Sequence, residues 1–208
     1  MKNYFLIVIK IFILLSIFLL QACMSIPEMN AKFAEIDRAW LLEYQKHEDL
    51  YRFRVIDAPY DQTFIKIKKA SIELGLPIIA SDYDTGVIIA QANAPLPLSQ
   101  EEWLMVKEQE NPRVKEIGGW MFYLEDDPRD YILTVKATVK RLQDKTLVLL
   151  DYELDMPEYR AMGINPGKVA PPTAVKLGSL KFWNKLDSLL TDANLPSTKE
   201  GIKEDLWI

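Results

Sequence analysis

Histidine and cysteine are almost missing from this chain: its 208 residues include one of each, His47 and Cys23. A Ser-His-Asp triad would have to use His47, and a Cys-His nucleophile pair would need both residues. No zinc site built on the usual thiolate and imidazole ligands can be assembled. His47 sits in Gln45-Lys46-His47-Glu48-Asp49, a charged stretch that reads as the wet end of a helix. A single cysteine also forms no internal disulfide. Neither Gly-x-Gly-x-x-Gly nor a Walker-type loop occurs, so nucleotide binding has no support. Basic residues alternate with aromatics only at Arg52-Phe53-Arg54, which strand alternation explains. Internal repeats and low-complexity tracts are missing as well.

What is present begins at the N-terminus. Lys2 precedes an apolar stretch from Tyr4 to Leu20 in which Lys10 is the only charge. This is the basic-then-apolar layout of a secretory signal. As a membrane span it is poor, because Ile11–Leu20 falls short of the ~20 residues a bilayer needs. Counting from Tyr4 would place Lys10 near the bilayer centre, at roughly 2.5–3.5 kcal/mol. Leu20-Gln21-Ala22-Cys23 then sets an aliphatic residue at −3, a small one at −1, and the chain's one cysteine. The tetrapeptide resembles the lipobox of bacterial lipoproteins, although Gln21 departs from the small or hydroxylated residue usual at −2. That resemblance implies cleavage before Cys23, a diacylglycerol on its thiol and an acyl chain on its new amine. No other cofactor is expected. Each buried CH₂ contributes ~0.8 kcal/mol, so two or three chains anchor without a spanning helix. Met24 at +2, rather than Asp, implies outer-membrane sorting on the periplasmic face over inner-membrane retention.

Removing residues 1–22 takes away Lys2 and Lys10 and no acid, leaving 23 basic against 30 acidic residues, a net charge of −7. Such a surface disfavours nucleic acid and adsorption to anionic headgroups. The remaining 186 residues suit one domain with extensions.

Met24–Asn30 reads as a short tether. Ala31–His47 spaces Phe33, Ile36, Trp40, Leu41 and Tyr44 as an amphipathic helix, either packed on the domain or offered to a partner or membrane. A domain over 51–190 follows the lipidated tether and helix of 23–50, with 191–208 as a polar tail. Tyr51–Val55 alternates as a strand. Phe64, Ile67, Ile72 and Leu74 form the apolar side of a helix that Gly75 stops. Two apolar runs, Pro77–Ala80 and Gly86–Gln91, make a hairpin around Ser81–Thr85. Ser99 and Glu102 form a capping box for a helix to about Gln109, which Asn111-Pro112 interrupts. Trp120–Leu124 reads as a strand, as do Tyr131–Leu142 and Thr146–Leu154. A Pro/Gly/Met-rich loop leads to a last helix, Thr173–Leu190, with Val175, Leu180, Trp183, Leu186 and Leu190 on one face.

This order predicts an α+β fold, an antiparallel sheet packed on helices in a helix-grip-like arrangement. The run APYDQTFIKIKKASIELGLPIIASDYDTGVIIAQA, from Ala58 to Ala92, is similar to the strand-helix-hairpin unit of BamC-type periplasmic lipoprotein domains. There a helix ends in Leu-Gly, an apolar strand follows, and Asp-x-x-x-Gly turns into the next strand. The similarity covers about a sixth of the chain and implies a fold and an assembly-accessory role without catalytic residues.

Asp82-Tyr83-Asp84-Thr85-Gly86 looks like the opening of a calcium loop, but no bidentate Glu follows at the twelfth position. Asp82 and Asp84 are weak metal candidates and better turn-cappers. Glu125-Asp126-Asp127 and Asp130 form an acidic turn. A glycosidase-like pair would need two carboxylates across one cleft. The apolar candidates are Trp103, Trp120, Phe122, Met156, Tyr159 and Met162, which lie in or beside irregular segments and are types favoured at adaptable surfaces. The expected function is a non-catalytic accessory or scaffold in an envelope protein complex. A carrier of a lipid or hydrophobic small molecule is the alternative, and a carboxylate-based hydrolase ranks last.

Overall fold

The computed structural model describes residues 24–193, the side chains of 47–50 and 192–193 excepted. The signal segment, Cys23 and residues 194–208 lie outside it, and with them most of the tail.

Five antiparallel strands form one sheet: β1 (Phe53–Ile56), β2 (Ile78–Asp82), β3 (Val87–Asn93), β4 (Ile132–Leu142) and β5 (Lys145–Asp155). Their spatial order is β1-β5-β4-β3-β2. Alternation puts one face inward: Ala137 lies opposite Ile88 and Leu150, and all three are buried. Two helices lie over this face, α2 (Tyr60–Glu73) and the last helix, α5 (Pro172–Ala193). Ile67 from α2 and Phe182, Trp183 and Leu186 from α5 share a core with Val139, Val148 and Leu150. The protein is therefore an α+β fold in which a long C-terminal helix rests on an antiparallel sheet. Two outward residues correct the expected helix faces. Ile72 of α2 and Leu180 of α5 point to solvent, and Ala70 and Phe182 take the buried positions.

The other face of the sheet is open over β1 and the adjoining part of β5, while Leu41 and Gln45 of the N-terminal helix reach its Ile89, Lys136 and Asp151. Phe53, Leu149, Thr138 and Val87 are successive neighbours across four strands, and Val55 lies beside Leu147. Phe53 and Val55 are exposed.

Two helices complete the covered side, α1 (Ile26–Tyr51) and α3 (Gln100–Gly118); the short α4 (Pro157–Ala161) lies between β5 and α5. α1 starts five residues earlier than the apolar spacing predicts. Ser25 accepts the Glu28 N–H at 3.4 Å while the Glu28 carboxylate takes the Ser25 N–H at 2.8 Å, a reciprocal cap. Pro27 is harmless in a first turn, where its missing N–H would have no helical partner. The expected tether of Met24–Asn30 thus contracts to Met24 and Ser25.

α3 carries the Ser99–Glu102 capping box as read, but it does not stop at Asn111-Pro112. Pro112 faces solvent, and the buried residues Val106, Glu110 and Asn111 before it and Val114 after it hold one continuous face. Packing outweighs the ~3 kcal/mol that an interior proline costs. Trp120–Leu124 is not a strand. Both neighbours of β4 are already strands, and the Leu124 N–H goes to the Asn111 side chain at 2.7 Å instead.

Candidate functional site

The middle of α1 runs into the core rather than beside it. Ile36 and Trp40 are 3% and 4% exposed, which decides between docking on the domain and being offered outward. A buried carboxylate fastens the helix. Glu110 of α3 accepts from Trp40 Nε1 at 3.1 Å, from the Thr173 N–H at 3.0 Å and from the Thr173 hydroxyl at 2.6 Å. Thr173 is in the first turn of α5, so Glu110 serves as a side-chain cap for that helix and its positive end. Three helices meet on one carboxylate. Composition gave no sign of this, because Gln109-Glu110-Asn111 looks like a polar helix end.

Further along, α1 clasps the segment after α4. Asp37 accepts backbone N–H bonds from Lys168 and Val169, and burial nonetheless pushes its carboxyl up to about 6. Gly167, at φ +79°, leaves no room for a side chain, since a Cβ there would sit 1.9 Å from Asp37 Oδ2. Asn30 accepts the Asn165 N–H at 2.7 Å, and the Tyr44 hydroxyl donates to the Ala170 carbonyl.

The six apolar candidates divide around this helix. Phe122 and Tyr159 converge on Phe33 of α1, with ring centroids at 5.0 Å and 5.8 Å, and Met156 lies in the same core. Phe33 and Ile36 of α1 pack between these Met- and aromatic-rich loops. What remains is a space of about 60 Å³. The Tyr159 hydroxyl donates to Glu125 at 3.3 Å, and burial raises it to about 12. Trp103 is buried and donates its N–H to the Glu125 carbonyl at 2.9 Å. Trp120 and Met162 stand apart from these four, 84% and 58% exposed.

The carboxylates do not converge. Asp82 accepts the Asp84 and Thr85 N–H groups at 2.9 and 3.3 Å, and the Thr85 contacts hold its carboxyl below the usual range. Asp126 pairs with Lys107, and Asp127 with Arg129. Asp82 is level with Val87 at one end of β3, and the Asp126-Asp127 turn precedes Ile132, level with Asn93 at the other. Six residues of strand separate those ends by about 20 Å. No cluster of three or more metal-ligating side chains occurs among the described residues. His47 is in α1.

A hydrophobic ligand has little room between α5 and the sheet, where the neighbouring apolar cavity measures about 30 Å³. The larger space is an open cleft of about 810 Å³ that Leu41 and Gln45 of α1 form with Ile89, Lys136 and Asp151 of the sheet. No protein-family model matches the chain, and no curated protein does.

Proposed function

We propose that this chain is a lipid-anchored envelope protein, held on the periplasmic face of the outer membrane through acylated Cys23. There it acts as a non-catalytic accessory or scaffold in a protein complex. The observation that carries this reading is the placement of α1. The lipobox-like Leu20-Gln21-Ala22-Cys23 stops two residues before the capped helix, whose Trp40 is part of the core. An anchor at Cys23 therefore sets where the whole domain stands, and that is useful to a scaffold. Among the described residues no helix is long and apolar enough to cross a membrane. The open sheet face, with Phe53, Val55, Leu147 and Leu149 in register, offers an apolar surface of the kind partner proteins bury.

A photocrosslinker at Val55, with one at Ile65 on α2 as control, tests the scaffold role in the lipidated protein. The expected result is a discrete adduct with an envelope protein from Val55 and none from Ile65. No adduct from Val55 would count against it. A carrier role would have to use the 810 Å³ cleft. Native mass spectrometry that finds a bound lipid, lost on Leu41→Glu, would favour it.

A further inference from the structure

Two of the uncharged stretches of this 26%-charged chain come together at one end of the domain. One is Ile117-Gly118-Gly119-Trp120-Met121-Phe122-Tyr123-Leu124 and the other is Ala161-Met162-Gly163-Ile164-Asn165-Pro166-Gly167. They are distant in sequence, and both lie against the first turns of α1. Phe122 meets Phe33 at 5.0 Å between ring centroids, and the Asn165 N–H bonds Asn30. From Ile26 to Phe33 the helix rises only about 10 Å. Both stretches therefore sit at the end of the domain from which the chain continues back to Cys23. Their buried members, Phe122 and Ile164, fix them to the core. Their outward members are Trp120, Tyr123 and Met162, and Ile26 of α1 is 48% exposed nearby in the first helical turn. Asn111 pins the first stretch through the Leu124 N–H, and Gly119, at φ +94°, precedes the exposed Trp120. Charge resumes at Lys115, Glu116 and Glu125 on one stretch and at Arg160 and Lys168 on the other.

We propose that these two stretches form a lipid-seated rim, on which the domain rests against the bilayer with Trp120 at headgroup depth. The proposal depends on acylation of Cys23. Tryptophan and tyrosine, with apolar bodies and a polar tip, are the residues that settle at a membrane interface. The outward members of the two stretches have no ion to strip of water, and Glu28, the charge in the first turn of α1, is itself held by the Ser25 N–H and hydroxyl. The acidic surface would gain nothing from anionic headgroups, so attachment at this end comes from apolar and aromatic contact plus the anchor. With α1 capped two residues after Cys23, the rim is held at the bilayer instead of swinging on a tether.

The full chain, processed and purified from membranes of a Gram-negative host, is reconstituted into phosphatidylethanolamine–phosphatidylglycerol vesicles with lipids brominated near the headgroup. Trp40, Trp103 and Trp183 are buried, so Trp120 is the exposed fluorophore among the described residues. Bromine quenching of the emission is expected in the parent, with a clear loss of that quenching in Trp120→Phe. The same sample is digested to read the mass of the Cys23 peptide. Acylated Cys23 with equal quenching in parent and variant overturns the rim and leaves the anchor standing, with the rim then facing water or a protein. Unmodified Cys23 overturns the anchor, and the rim with it.

Discussion

Removing the Glu110 carboxylate would strand three donors at once, the Trp40 indole N–H and the backbone N–H and hydroxyl of Thr173. An unsatisfied buried group costs about 1–3 kcal/mol. Glu110→Ala is therefore expected to lower stability in urea unfolding by at least that much, with Glu110→Gln, which keeps an acceptor oxygen, losing less. Equal stability of parent and alanine variant would contradict the junction. Asp37 gives a second test. Its carboxyl is raised to about 6 in the folded state, from an ordinary value near 4. Between those values the folded protein holds a proton that the unfolded chain has released, so stability falls as pH rises through the window. Asp37→Asn should flatten that part of the stability–pH curve, and an unchanged slope would count against it. Neither residue was legible in the sequence. Periodicity reports apolar faces, whereas a buried carboxylate in a polar stretch looks like any solvated one until its distant donors are in place.

At the scale of elements, the strands were the readable part. Tyr131–Leu142 and Thr146–Leu154 alternate over most of their length because only one face of the sheet is covered, and β4 and β5 follow them within a residue or so. Trp120–Leu124 has the composition of a strand, yet its Phe122 and Leu124 N–H groups go to the Gly119 carbonyl and the Asn111 side chain, partners no local pattern records. The start of α1 was hidden in Met-Ser-Ile-Pro-Glu-Met-Asn, where a proline suggested loop and the reciprocal Ser25–Glu28 cap decides for helix. Since α1 supplies core, Trp40→Ala should cost about 3–5 kcal/mol, against the ±0.5 kcal/mol of a substitution on a detached surface helix. Denaturant midpoints of the two proteins measure this directly. In α3, Pro112→Ala restores a missing N–H donor and is expected to raise stability, by up to ~3 kcal/mol. A fall instead would show that the proline shapes the helix it sits in.

For the whole molecule, the six apolar candidates show what a sequence can and cannot say about a surface. Two of them, Phe122 and Tyr159, meet Phe33 of α1, and Trp103 and Met156 lie in the same core. Which of them are spent on packing and which are left outside, as Trp120 and Met162 are, depended on a helix that arrives from another part of the chain. The proposed division of labour follows from that arrangement, with the anchored end toward lipid and the open sheet face toward a partner. All of it hangs on Cys23. The most direct test is mass spectrometry of the N-terminal peptide of the membrane-extracted protein. The account predicts a peptide that begins at Cys23 and carries a diacylglyceryl group and an N-linked acyl chain. A peptide that runs unmodified through Ala22-Cys23 would contradict it.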